Sequence, residues 1–360
     1  MTDLEVGSAF VDDEHQPQET SGDRFTELLH QVKAAGLLEP RTGYYFVKIV
    51  SDLFLLGLGW MMFVVVGNSW WELAVAVFLA FCYTQLGFLG HDIGHRHVAR
   101  SRTGQDLLGW VDGPLLLGFS YGWWVRHHNH HHRYPNHLER DVGLSRQRYI
   151  FSPEQGASRQ GWRKQFVVRH QNVLFYPLLC TEGVALRVAS VMAVKRGKLR
   201  RGGLEAALML VHLALYLGLV FTVLPPVKAV AFVLLHQALF GLYIGWAFAP
   251  NHNGMPMQGP EDHWDWLTRQ VVTCRNLGPS RLTEFFYGGV NNHIEHHLFP
   301  TMPRPNLRRA RPLVKQFCQD QGVPYCEVTV TQSVFAIVAQ LRRTTKAYQA
   351  QTRAAAAAAA

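Results

Sequence analysis

The chain has little cysteine, little charge and no recognisable leader. Its five cysteines, Cys82, Cys180, Cys274, Cys318 and Cys326, are odd in number and form no C-x-x-C pair. A disulfide framework or a zinc ribbon is therefore not expected, and a reducing compartment fits. Charged residues make up only 17% of the 360, and the N-terminus lacks a basic n-region, an apolar h-region and a cleavage site. Hydrophobic residues reach 48% and the mean hydropathy is −0.02, both ordinary averages. The averages conceal segregation: nearly all strongly apolar sequence lies in five blocks, with basic residues gathered between and after them. That pattern excludes a disordered chain and argues against a purely soluble one. Nineteen histidines are the other anomaly.

The apolar blocks cover residues 44–67, 70–90, 107–121, 204–225 and 228–250. A helix needs roughly 20 residues to cross a hydrocarbon core of about 30 Å. Four blocks meet that length. The block 107–121 is too short and is broken by Gly113-Pro114, so an interfacial or re-entrant helix is expected there. Links as short as Asn68-Ser69 and Pro226-Val227 force the four spans into two antiparallel hairpins. The expected fold is an all-α integral membrane protein: four transmembrane helices, one re-entrant or interfacial helix, and a cytoplasmic helical cap. The stretch 165–193 mixes basic and apolar residues and reads as an amphipathic helix along the interface.

Charge sets the expected orientation. Residues 91–203 hold 18 Lys+Arg against 7 Asp+Glu, and 251–360 hold 12 against 7. By the positive-inside rule both segments and both termini face the cytoplasm, with a bacterial inner membrane as the expected location. Nucleic-acid binding is not expected, because the basic residues adjoin spans and no recognition module is visible. Residues 1–43, with nine acidic and three basic side chains, read as a cytoplasmic tail with one short helix over 25–35. The main domain is expected over 44–326. Residues 327–360 read as a C-terminal cytoplasmic segment ending in the alanine-rich tail 354–360.

The histidines cluster at metal-ligand spacing. His91 and His95 stand at i and i+4 at the end of the second span, on one helix face. His128, His131 and His132 form an i, i+3, i+4 set, and His293, His296 and His297 repeat it. Imidazole suits iron, zinc, copper and nickel, so ligand type leaves the metal open. Eight histidines exceed what one ion uses and point to two. If 107–121 crossed the membrane, the first two clusters would lie on opposite faces; its shortness lets all three share a site. His252 emerges from the fourth span, where a ninth ligand could be supplied. Asp92 and Glu295 lie inside the clusters and are candidates to accept the second N–H of a ligating imidazole, with Asn129 and Asn292 as further outer candidates.

The segments Gly-His-Asp-Ile-Gly-His (90–95), Trp-Val-Arg-His-His-Asn-His-His-His (124–132) and Gly-Gly-Val-Asn-Asn-His-Ile-Glu-His-His-Leu-Phe-Pro (288–300) resemble the three histidine boxes of membrane fatty-acid desaturases. The resemblance runs in order and spacing from about residue 44 to 326. It implies a non-haem di-iron centre that uses O2 to remove two hydrogens from an acyl chain. The implied ligands are the eight box histidines, with His252 matching the extra histidine after the fourth span, and no side chain beyond them is implied as catalytic. The implied substrate is a fatty acyl-CoA or acyl-lipid. No His-Pro-Gly-Gly segment of a fused cytochrome b5 occurs, which implies an external ferredoxin or cytochrome b5-type donor with an NAD(P)H reductase. Members that act between the carboxyl end and an existing double bond often carry Gln where His293 stands, which leaves regioselectivity open.

Other histidines have plainer readings. His97, His127, His130 and His137 lie beside the boxes but off the ligand pattern and read as supporting or surface residues. His15, His30, His170 and His263 read as solvated. His236 precedes His252 by 16 residues, about 24 Å at 1.5 Å per residue, and reads as a neutral bundle histidine; His212 is a candidate to line an acyl channel. Two rivals to desaturation remain: a di-iron hydroxylase of alkyl or isoprenoid substrates, and a histidine-rich metal transporter. Transport would want ligands along the membrane interior, not clusters at one boundary.

Overall fold

A computed structural model describes residues 19–146, 148–157 and 161–358; His15 lies outside them. The described residues are helical apart from loops and one two-stranded parallel pairing, β1 (Asn276–Leu277) with β2 (Glu327–Val328). Four helices are long and apolar enough to cross a membrane: α2 (Thr42–Val66), α3 (Glu72–Gly94), α10 (Gly202–Val223) and α11 (Pro226–His252). Preceding them is α1 (Glu19–Ala34). Between the hairpins lie α4 (Arg102–Trp110), α5 (Tyr121–Arg133), α6 (Val142–Arg146), α7 (Pro153–Ala157), α8 (Trp162–Leu179) and α9 (Glu182–Lys195). After them come α12 (Trp266–Val272), α13 (Arg281–Phe286), α14 (His293–Leu298), α15 (Arg304–Asp320) and α16 (Val330–Ala358).

The two hairpins meet through their second helices. The α3–α11 contact is the most extensive in the molecule, with α2 packed on the outside of α3. Burial follows: 61% of the apolar window of α3 is enclosed by protein, against 11% for α10. Phe46, Phe54, Val65, Leu210 and Leu215 point outward, which in lipid costs nothing because the surroundings are equally apolar. The hairpin tips touch where Lys228 Nζ donates to the Asn68 carbonyl at 3.0 Å and to Asn68 Oδ1 at 2.8 Å. All the histidine segments lie at the opposite end.

The short third block does not cross. Helix α4 passes into a π-helical stretch, Val111–Leu117, containing Pro114. Proline withdraws an N–H and crowds the preceding turn, and a widened turn accommodates that loss. The chain then reverses at Gly118, whose φ is 74°. A Cβ there would collide with the His212 ring, so only glycine permits both the left-handed turn and this close approach. His212 Nδ1 meets the Leu115 carbonyl at 3.0 Å. The histidine expected as a channel-lining candidate thus pins the re-entrant segment to α10.

Two sequence expectations need correction. The stretch 165–193 is not one interfacial helix. It is the pair α8 and α9, bent by 86°, with α8 packed on α11 and α16, and α9 on α10 and α11. Second, residues 19–34 are not part of a free tail. Helix α1 docks on α12 and α15, burying Leu28 and Val32 completely, and Arg24 pairs with Asp265 at 2.7 Å. In the C-terminal segment, α16 packs on α7, α8 and α11 through the buried Ile337 and Leu341. Apolar residues at helical spacing on one face drive both dockings.

Candidate metal centre

Each histidine segment reaches the site on a short or terminal piece of helix. His91 closes α3, and His95 is its C-cap residue. Helix α5 starts at Ser120, whose hydroxyl accepts the Trp123 N–H at 3.0 Å. Glu205 of α10 reinforces that start by accepting the Ser120 hydroxyl and the Gly122 N–H. From there α5 presents His128, His131 and His132 along one face. The six-residue α14 presents His293, His296 and His297 in the same way, and His252 is the last residue of α11.

The nine imidazoles form two foci. In the first, the His91 ring lies 4.7 Å from His95, 4.9 Å from His128 and 4.6 Å from His296. His132 joins with Nε2 at 3.1 Å from His128 Nε2. The Nε2 atoms of His91, His95 and His296 are buried without any hydrogen-bond partner. In the second focus, His252 Nε2 lies 3.0 Å from His131 Nε2, 2.8 Å from His293 Nε2 and 3.0 Å from His297 Nε2.

The outward nitrogens of the second focus settle its proton inventory. His131 Nδ1 faces Asp141 Oδ2 at 3.0 Å, and His252 Nδ1 faces the Thr273 carbonyl at 3.0 Å. His293 Nδ1 faces the Val290 carbonyl at 3.2 Å, and His297 Nδ1 faces Gln270 Oε1 at 2.9 Å. Gln270 Nε2 donates to the His132 carbonyl at 3.0 Å, which identifies the Oε1 side as the acceptor. Each Nδ1 therefore carries the hydrogen and each Nε2 carries a lone pair. Four lone pairs pointing at one another at about 3 Å repel unless a cation lies among them. The donor set fits a metal ion.

Electrostatics agree. Burial first, and neighbouring imidazoles second, hold His95, His128, His132, His293, His296 and His297 well below the ordinary 6.5. They are neutral at physiological pH, the form that ligates. Burial alone would raise the Asp141 carboxyl, but His131 and the Gly143 N–H outweigh it and hold Asp141 low. Cys274 approaches the cluster, but its Sγ lies 3.8 Å from His252 Nδ1. That contact is on the Nδ1 side of the ring, yet ligand atoms of Cys274, His252, His293 and His297 all lie within 4.8 Å of one another, so the thiol borders the second focus.

The supporting residues differ from those expected. Asp92 Oδ1 stands 3.5 Å from His91 Nδ1, a long approach, while its Oδ2 faces Arg304 at 2.7 Å. Glu295 accepts from Asn276 at 2.8 Å and from the Tyr325 hydroxyl at 2.8 Å, not from an imidazole, because it lies on the face of α14 away from the histidines. Asn292 Oδ1 accepts from Arg311 at 3.1 Å. Asn129 makes no side-chain hydrogen bond to a box histidine among the described residues. Asp141, Gln270 and the Thr273 and Val290 carbonyls do the orienting instead. A hint to Asp141 was available: it follows the second box by nine residues, close enough to fold back.

The remaining histidines take outer places. His97 is buried against Tyr45 and His127 stacks on Trp123. His137 Nδ1 accepts the Glu139 and Arg140 N–H groups at 3.3 and 3.4 Å, and His130 lies against Tyr134. His236 Nδ1 pairs with the Tyr216 hydroxyl at 2.8 Å inside the bundle. His30, His170 and His263 are exposed.

The fatty acid desaturase family profile matches residues 68–329. The chain is 29% identical over 76% of its length to an acyl-lipid (9-3)-desaturase of Physcomitrium patens, covering 54% of that protein. It is 27% identical over 90% of its length to a Delta(5) fatty acid desaturase of Caenorhabditis elegans, covering 74% of it. It is 30% identical over 84% of its length to fatty acid desaturase 3 of Bos taurus, covering 68% of it. The chain thus spans about half the length of the first of these relatives and about two thirds to three quarters of the other two.

Proposed function

The chain belongs to the fatty acid desaturase family, and from that premise we propose that it is an O2-dependent acyl desaturase in which nine histidines hold two iron ions. His91, His95, His128, His132 and His296 would hold one, and His131, His252, His293 and His297 the other. The observation that carries this reading is the convergence of four Nε2 lone pairs whose tautomers are dictated from behind by Asp141, Gln270 and two carbonyls. Bound there, the irons would supply the oxidant for an unactivated C–H bond, chemistry that no side chain offers.

The protein's own part is placement and dryness. The orienting acceptors keep each ring turned inward, so no rearrangement is needed when metal binds. Gly87, Gly90, Phe119 and Trp124 line a narrow gap against His91, the approach to the core from the membrane side. Neither focus needs a side-chain base, because its imidazoles are committed as ligands. We place the histidine end in the cytoplasm on the strength of the basic segments 91–203 and 251–360. The substrate is an acyl-CoA or acyl-lipid, with electrons from an external donor.

The test is expression in a host of known lipid composition, with gas chromatography–mass spectrometry of the acyl chains. A new double bond, lost in His128→Ala and His296→Ala along with bound iron, supports the reading. A product one oxygen heavier would convert it to hydroxylation. Activity from metal-free protein would end it.

A further inference from the structure

Arg304 follows the third histidine segment and is fully buried, yet it reaches no imidazole. Its Nη2 lies 2.7 Å from Asp92 Oδ2, with the two side chains 5% and 4% exposed. The same nitrogen donates to the Phe88 carbonyl at 2.6 Å, one turn earlier on α3, so the approach to Asp92 is a charge contact more than an aligned hydrogen bond. The Arg304 backbone N–H donates to the Tyr45 hydroxyl at 3.0 Å. With its oxygen so engaged, Tyr45 has its own hydrogen to give to His97 Nδ1, 2.7 Å away. His97 Nε2 then faces Asp92 Oδ1 at 3.9 Å. The circuit Arg304–Tyr45–His97–Asp92 closes on itself and joins α2, α3 and the start of α15.

The third segment is threaded through this circuit. Gly289, with φ of 83°, packs on the arginine shaft so closely that a Cβ would overlap Arg304 Cγ. Four residues later the chain presents His293. Pro303 and Pro305 flank Arg304 and restrict its backbone. Buried ion pairs add little net stability compared with an apolar pair of the same size. An arrangement this closely packed is better accounted for by what it orients.

We propose that Arg304 is a positioning residue: it clamps Asp92 beside His91 and holds the first histidine segment in register with the third. This rests on the metal-binding reading above. The test uses the full chain purified in detergent with iron, comparing wild type, R304M and the double variant D92N/R304M. Iron content, Mössbauer spectrum, thermal midpoint and product formation are measured on each.

In R304M, desaturation falls by at least about tenfold, and the Mössbauer signal of one iron environment is lost while the other persists. In D92N/R304M no unpaired charge remains buried, so the thermal midpoint returns to near wild type while the iron and the activity stay lost. That separation distinguishes positioning from mere structural support, and the double variant carries the test if R304M fails to accumulate. A double variant with wild-type iron and activity would overturn the inference, as would an R304M spectrum identical to wild type. Wild-type protein that binds no metal would instead overturn the proposed function, and this inference with it.

Discussion

His131 Nε2 and His252 Nε2 stand 3.0 Å apart although 121 positions separate them in the chain. Both rings are turned by acceptors behind them, Asp141 for one and the Thr273 carbonyl for the other. Neither Nε2 has a hydrogen to offer, so the pair is not a hydrogen bond, and a cation between the two lone pairs would relieve their repulsion.

His252→Ala removes the one second-focus ligand outside the boxes. The variant is expected to lose metal from that focus and to retain less than roughly a hundredth of wild-type desaturation. Metal analysis by mass spectrometry beside a product assay checks it; full metal content would show His252 to be a helix-end residue only.

Asp141→Asn keeps the shape but replaces a pure acceptor with a group that also donates. The Asp141 carboxylate also receives the Asn136 and Gly143 N–H groups at 3.1 and 2.8 Å, so the loop should stay folded. The His131 tautomer is no longer enforced, and a loss of about 10- to 100-fold in metal affinity or activity is expected. Equilibrium metal titration measures it, and wild-type affinity would remove Asp141 from the site.

Acidification should strip the site. His128, His293, His296 and His297 are held below 6.5 by burial and by one another. Between the folded and unfolded values the unfolded chain binds more protons, so stability falls as pH drops below about 6.5. Protons also compete with metal for the same nitrogens. Lowering the pH from about 7.5 to about 5.5 should release metal and lower the thermal midpoint together; a midpoint that rises on acidification would contradict the neutral core.

Tyr325→Phe deletes one of the two side-chain donors to the buried Glu295 carboxyl. Hydrogen bonds to charged groups contribute about 1.5–3 kcal/mol, and a destabilisation of that order is expected with metal content unchanged. Loss of metal at an unchanged thermal midpoint would mean that Glu295 acts on the imidazoles after all.

Much of this architecture follows from local pattern. The four spans, the two tight hairpins and the failure of 107–121 to cross are each readable from block length, because bilayer thickness dictates how many apolar residues a helix needs. The i, i+3, i+4 spacing likewise placed each group of histidines on a single helix face before any tertiary contact was known. Helices α1 and α16 were harder to read, because amphipathic faces do not name the surface that covers them.

The sequence alone determined the number of helices long enough to span, the end of the bundle where the histidines gather, and the three groups at i+3 or i+4 spacing that the fold brings close together. Tertiary structure decided how they divide into two foci, and that Asp141, Gln270 and two carbonyls orient the rings while Glu295 and Asn292 turn to Tyr325, Asn276 and Arg311. It also brought Arg304 to Asp92, 212 residues away. Periodicity is a property of neighbouring residues and is written in order along the chain. Hydrogen-bond partners across the site come from distant segments, and only the packing of those segments brings them within reach.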